Sequence, residues 1–327
     1  MPSLNLRYDL RAPSFGKASS AELCQTALDQ CEWADRLGFA SILLLEHHGS
    51  PDGYLPSPLV MAGAVAARTQ RVRICLSALI APLHDPVRIA EDMAIVDVIS
   101  GGRLFPTLSG GYVAKEFEGF GKKLSDRRDY MEEIVPFLEK AWTGEPFEWK
   151  GRTVRVTPRP VQTPRPPIFL GGSSAPAARR AARMADGFAP TAPSFHEIYR
   201  EELRKLGKPD PGPLPPTLPH SFIHVSQDPD AAWAQIAPHA MHEMNAYAKW
   251  IEDAGTDAPY FAVDNVDELR ASGQYAVFTP DEFAEKLREL GPTGSCTLNP
   301  LMGGLDPVLS WQSLHLIESE VLPRLER

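Results

Sequence analysis

The chain has 327 residues, with 42 acidic against 33 basic side chains and a formal net charge of −9. That balance, without any basic tract, argues against nucleic acid and anionic membranes as partners. No apolar run approaches the roughly 18 residues needed to cross a bilayer, and Met1 to Leu10 lacks the apolar core of a signal peptide.

Leu4 to Leu10 reads as a first strand. Ser19 and Glu22 predict a capping box, in which each side chain bonds the other's free backbone N–H. Leu23, Ala27, Cys31 and Ala34 then repeat at helical spacing, and Gly38 closes the helix. Ile42 to Leu45 is an unbroken apolar run, the mark of a parallel strand buried on both faces. Ser57-Pro58 and Asp85-Pro86 each open a helix, as N-cap and first-turn proline. Val72 to Ile80 and Arg103 to Leu108 are the third and fourth strands.

A helix is expected over Ser125 to Trp142, with Pro136 inside it to kink it or end its first half. A small hairpin turns at Lys150-Gly151, and five prolines extend 158 to 167. Further strands fall at Pro167 to Leu170, Gly187 to Pro190, His220 to Ser226 and Ser295 to Asn299. Helices are read over Ala175 to Ala185, Phe195 to Leu206 and Pro307 to Leu325, and Pro229 to Leu290 reads as helical throughout. Eight strands alternating with helices predict an α/β fold, a (β/α)8 barrel formed as a single domain over 1–327. Segment 229–292 is expected to be a lid or insertion before the last strand. A doubly wound open sheet is the alternative, weakened by the lack of GxGxxG after the first strand.

Cys24, Cys31, Cys75 and Cys296 have no metal-type spacing and fit a reducing cytoplasm. The second strand breaks abruptly into Glu46-His47-His48, and strand ends on this side are where such folds place chemistry. A histidine there suits a general base or hydrogen-bond donor. A structural role, or metal binding by His47 and His48, stays open, although neighbours on a strand point to opposite faces. Ser109-Gly110-Gly111, at the end of the fourth strand, would let a flat ligand approach the backbone. Gly171-Gly172-Ser173-Ser174 joins a strand to a helix N-terminus, with free N–H groups and two hydroxyls suited to a phosphate.

These motifs make the chain resemble the bacterial luciferase-like flavin-dependent oxidoreductases, over 39–121, 158–190 and 293–325. The resemblance is carried by Leu43-Leu44-Leu45-Glu46-His47-His48, by His84 to Asp92, and by Asp97 to Arg103. It continues with Ser109 to Tyr112, Glu116-Phe117, Phe120-Gly121, Pro167 to Gly172, and Glu320 to Pro323. It implies the same barrel fold and a monooxygenase that reacts reduced FMN with dioxygen to a flavin hydroperoxide and oxygenates a small organic substrate. It implies His47 as the catalytic histidine, supported by Glu46 and His48. It implies a non-proline cis peptide at Ser77-Ala78 against the flavin ring, and Ser173 and Ser174 at the phosphate. A separate flavin reductase, a cytoplasmic location and a homodimer or higher oligomer are further expectations.

One departure is visible. Where luciferases carry a phosphate-binding arginine near the position of Gly110, this chain has glycine. Another basic residue must then reach in, or the backbone of 171 to 174 must do more. The rival readings are a deazaflavin-dependent dehydrogenase, a non-catalytic flavin-binding protein, and a metal-dependent barrel hydrolase.

Overall fold

A computed structural model describes residues 1–255 and 260–325. Strand β1 (Ser3–Tyr8) leads to α1 (Ser20–Arg36) and β2 (Ser41–Leu44). The capping box forms as expected: Glu22 N–H donates to the Ser19 hydroxyl at 3.3 Å, and Ser19 N–H donates to Glu22 Oε2 at 2.8 Å. Helix α2 (Pro58–Arg68), β3 (Arg73–Ile80), α3 (Pro86–Ser100) and β4 (Leu104–Ser109) follow. Asp85 caps α3 through the N–H groups of Val87 and Arg88, whereas Ser57 precedes α2 without a side-chain cap bond.

Next come α4 (Ala114–Gly119), α5 (Arg127–Ala141), and the antiparallel hairpin of β5 (Phe147–Trp149) and β6 (Arg152–Val154). Helix α5 runs through Pro136 rather than ending there. Ile134, Val135, Phe137 and Leu138 around it are all buried, so packing outweighs the lost backbone bond.

Strand β7 (Phe169–Gly172), α6 (Ala175–Met184), β8 (Gly187–Pro190), α7 (Pro193–Lys205) and β9 (Phe222–Val225) continue the alternation. The stretch expected to be helical throughout instead holds α8 (Pro229–Ala254), α9 (Val266–Ala271), β10 (Tyr275–Phe278) and α10 (Pro280–Leu290). Strand β10 pairs parallel with β9, Tyr275 opposite Phe222. Tyr-Ala-Val-Phe suits a pleated surface, and burial of Tyr275 and Ala276 overrides the helical flanks. After β11 (Ser295–Leu298) comes α11 (Pro307–Leu316), and a π-helical turn at Ile317–Val321 interrupts the expected closing helix. All eight expected strands are present in this α/β fold. Among the described residues, no helix is long and apolar enough to cross a membrane.

The chain divides into two units. Unit 1 comprises Met1–Leu43, His48–Pro56 and Pro215–Arg327, and unit 2 comprises Leu44–His47 and Ser57–Leu214. Unit 1 contains the parallel order β11-β1-β2 and the β9–β10 pair. Along β1, the buried Leu4, Leu6 and Tyr8 alternate with the polar Asn5 and Arg7. Asn5 is fixed by Ser295 Oγ at 3.0 Å and by the Ser41 hydroxyl at 2.6 Å. Phe222, Trp233, Ile236, Met244 and Tyr275 pack as an apolar cluster.

Unit 2 holds the parallel order β3-β4-β7-β8. Two motifs of the resemblance serve this scaffold. Arg103 donates to the carbonyls of Ala66 and Thr69 at 3.0 and 2.8 Å, closing the C-terminal end of α2. Asp97, fully buried, accepts from the N–H groups of Val161 and Gln162 at 2.8 and 3.1 Å and so ties down the proline-rich connection.

Candidate active site

Where β2 ends, the chain leaves the sheet with Glu46 and His47 side by side in sequence. Both are buried, at 3% and 7% exposure. His47 Nδ1 lies 2.7 Å from Glu116 Oε1 on α4, and the imidazole meets the Tyr112 ring edge-on at 5.6 Å. A carboxylate only accepts, so the pair places the proton on Nδ1 and orients the ring.

Glu46 has different partners. Its Oε1 lies 2.7 Å from His84 Nε2, and its Oε2 accepts from the Ile80 N–H. His48 belongs to unit 1 and is half-buried. The structure therefore pairs His47 with Glu116, and Glu46 with His84.

The glycine-rich strand ends meet in unit 2. The Ser77–Ala78 peptide bond is cis. Register between β3 and β4 shifts between Ser77 and Leu79. A Cβ placed on Gly171 would lie 3.4 Å from Thr107 Cγ2 and 3.7 Å from Ser109 Cβ, so the ends of β4 and β7 run side by side. On Gly172 it would lie 2.5 Å from Ala177 Cβ, a clash that restricts this strand-to-helix turn to glycine. Gly111 has φ +68, and a Cβ there would come within 2.7 Å of Ile80 Cγ2.

Ser174 is the N-cap of α6 and accepts from the Ala177 N–H at 3.4 Å. Ser173 beside it is exposed. Arg127 packs against the backbone at Gly110. Its side chain lies 3.7 Å from the position of a Gly110 Cβ, and its Nη1 donates to the Gly111 carbonyl at 2.7 Å. A helix N-terminus, a guanidinium and a side-chain-free backbone could together hold a flat phosphorylated ligand.

Sequence reasoning gave no role to Glu116, His84 or Arg127. Glu116 and His84 lay in quoted motifs, and a buried acid in the short α4 was the available signal. A second polar group was missed altogether, in unit 1. Arg11 is 0% exposed and donates from Nη1 to Asp52 Oδ2 at 2.5 Å. Its guanidinium lies 4.6, 5.0 and 4.9 Å from the ring centres of Tyr54, Tyr247 and Trp250. Burial works against the Asp52 carboxylate, yet bonds from His242 and Arg11 outweigh it and hold the carboxyl well below its usual range.

Asp9 Oδ2 faces Arg11 Nε at 3.3 Å. Both Asp9 oxygens, Arg11 Nε and Arg11 Nη2 are buried without a hydrogen-bond partner among the described residues. Glu243 on α8 is 0% exposed and accepts from Tyr275 OH and Asn299 Nδ2, each at 3.3 Å. Burial, then the charge of Asp9, pushes Glu243 up to about 7 against the pull of Arg7 and Arg11.

Comparison with known proteins adds to this geometry. The family model described as luciferase-like monooxygenase matches residues 12–295. The oxygenase component of a flavin-dependent trigonelline monooxygenase from Acinetobacter baylyi is 28% identical over 46% of this chain and 43% of its own. An F420-dependent glucose-6-phosphate dehydrogenase from Nakamurella multipartita is 27% identical over 99% of this chain and 97% of its own. The chain spans about half the length of the first curated relatives it matches. Among solved structures, the monooxygenase RslO1 from Streptomyces bottropensis superposes with a TM-score of 0.78 at 22% identity, covering 98% of this chain and 99% of that one. The shared fold is the luciferase-like barrel.

Proposed function

The chain belongs to the luciferase-like monooxygenase family, and from that premise we propose an FMN-dependent monooxygenase that oxygenates a small organic substrate. The observation that carries this reading is the His47–Glu116 pair at 2.7 Å, in the same unit as the glycine cradle. Reduced FMN, when bound, supplies the electrons that activate dioxygen.

The chain's own residues do the rest. Arg127, Ser173, Ser174 and the N–H of Ala175 at the start of α6 would hold the phosphate, since Pro176 has no N–H and Ala177 already donates to the Ser174 hydroxyl. Gly110, Gly111, Gly171 and Gly172 would let the ring system approach bare backbone. Glu116 keeps the proton on His47 Nδ1, so His47 Nε2 accepts or returns a proton at the reacting centre. The trigonelline relative is an oxygenase component, which supports a separate reductase as the source of reduced flavin.

A second reading, a deazaflavin-dependent dehydrogenase, is favoured by the end-to-end match to the F420-dependent relative. Anaerobic titration with reduced FMN, then mixing with oxygen while following absorbance, separates the two. The monooxygenase reading expects tight binding of reduced FMN and a transient species distinct from oxidised FMN. Tighter binding of F420 than of FMN, with reduced FMN oxidising at its free rate, would overturn it.

A further inference from the structure

Glu46 adjoins His47 in the chain, yet its carboxylate is engaged on the protein itself. Its side chain is 0% exposed. One oxygen meets His84 Nε2 at 2.7 Å, and the other takes the N–H of Ile80, the last residue of β3. His84 follows the single turn Ala81–Leu83, and that turn is anchored in its own right. The His84 carbonyl accepts from Lys122 Nζ and from Tyr130 OH, both at 3.1 Å. Lys122 Nζ also donates to the Pro82 carbonyl at 2.6 Å. Partial burial lowers the pKa of the Lys122 ammonium, against the opposing charge of Asp85.

We propose that Glu46, His84 and Lys122 form a clamp that positions His47. Glu46 ties the end of β2 to the end of β3 through His84, and Lys122 with Tyr130 locks the turn that carries His84. With the Glu46 carboxylate held on His84 and the Ile80 N–H, the adjoining backbone of His47 is fixed, and the imidazole keeps its place against Glu116. The three clamp residues are argued to act through His47 and are therefore positioning residues. The inference rests on the reading of His47 as the proton-handling group.

The test is imidazole-nitrogen NMR of the ligand-free chain. The Nδ1–H proton of His47 is expected far downfield because of its short bond to Glu116, and His47→Gln assigns it by its disappearance. His84→Ala should abolish or broaden that signal, and Lys122→Met should shift it by less. His84→Gln, which keeps a donor near the position of Nε2, should restore it. Lys122→Met carries the test if His84→Ala fails to fold. An unchanged signal in folded His84→Ala or Lys122→Met, even with a lowered Tm, would overturn the clamp. The functional reading fails separately: wild type that does not bind reduced FMN, with the His47 signal still answering to His84, refutes the flavin assignment and upholds the clamp.

Discussion

The two units treat buried charge in opposite ways. In unit 2 two buried acids each meet a histidine at 2.7 Å, Glu46 with His84 and Glu116 with His47. In unit 1, Arg7, Asp9, Arg11, Asp52 and Glu243 crowd together, several of their atoms have no hydrogen-bond partner among the described residues, and burial pushes Glu243 up to about 7. Paired acids set ring tautomers and aim donors. A crowded cluster couples a proton to folding. The contrast separates paired acids from crowded ones.

The sharpest way to break this contrast is to remove the cation at the centre of unit 1. Arg11→Met should destabilise the chain by about 3–5 kcal/mol, because it takes from the buried Asp9 and Asp52 the guanidinium they share. Urea unfolding measures this, and a loss under about 1 kcal/mol would show that the cluster does not depend on its arginine.

Glu243 gives the next largest effect. It keeps its proton in the folded chain up to about 7, against an ordinary 4.5. Folding thus takes up a proton between those values. Its favourable contribution is complete below 4.5, falls as pH rises through the window, and is gone above about 7. Glu243→Gln should flatten this slope and exceed wild type in stability above neutral pH. Parallel pH–stability curves for the two would refute the displacement.

The smallest effect concerns the cradle of unit 2. Ser173→Ala with Ser174→Ala should weaken FMN by about tenfold or more, the scale of a lost hydrogen bond to a charged group. Riboflavin, which has no phosphate, should lose little. Calorimetric titration with both ligands decides the matter, and equal losses would remove the phosphate assignment. Ser174→Ala also costs about 1 kcal/mol of helix capping, so stability must be measured alongside.

Much of the fold was legible because its signals are local. The apolar run before Glu46, the capping box at Ser19 and the proline starts of α2 and α3 each need only a few neighbouring residues. Strand β10 was hidden because four residues between two helical stretches are too few to show a period. The site was half legible. Gly171 to Ser174 suggested an anion site by composition and position. Glu116 is 69 residues from His47, and Glu243 is 232 residues from Arg11. Such partners are defined only by the folded chain, and charge clusters leave no periodic trace.

The central claim is that His47, held by Glu116, manages a proton over reduced FMN in unit 2. Its most direct test is the lag between oxygen uptake and peroxide release when FMN-loaded, reduced protein is mixed with oxygen without substrate. Wild type should show a lag, and His47→Ala should release peroxide about tenfold to a hundredfold sooner, the lower range for losing a positioned acid or base, while FMN affinity stays near wild type. Identical lags in the two proteins would contradict the claim.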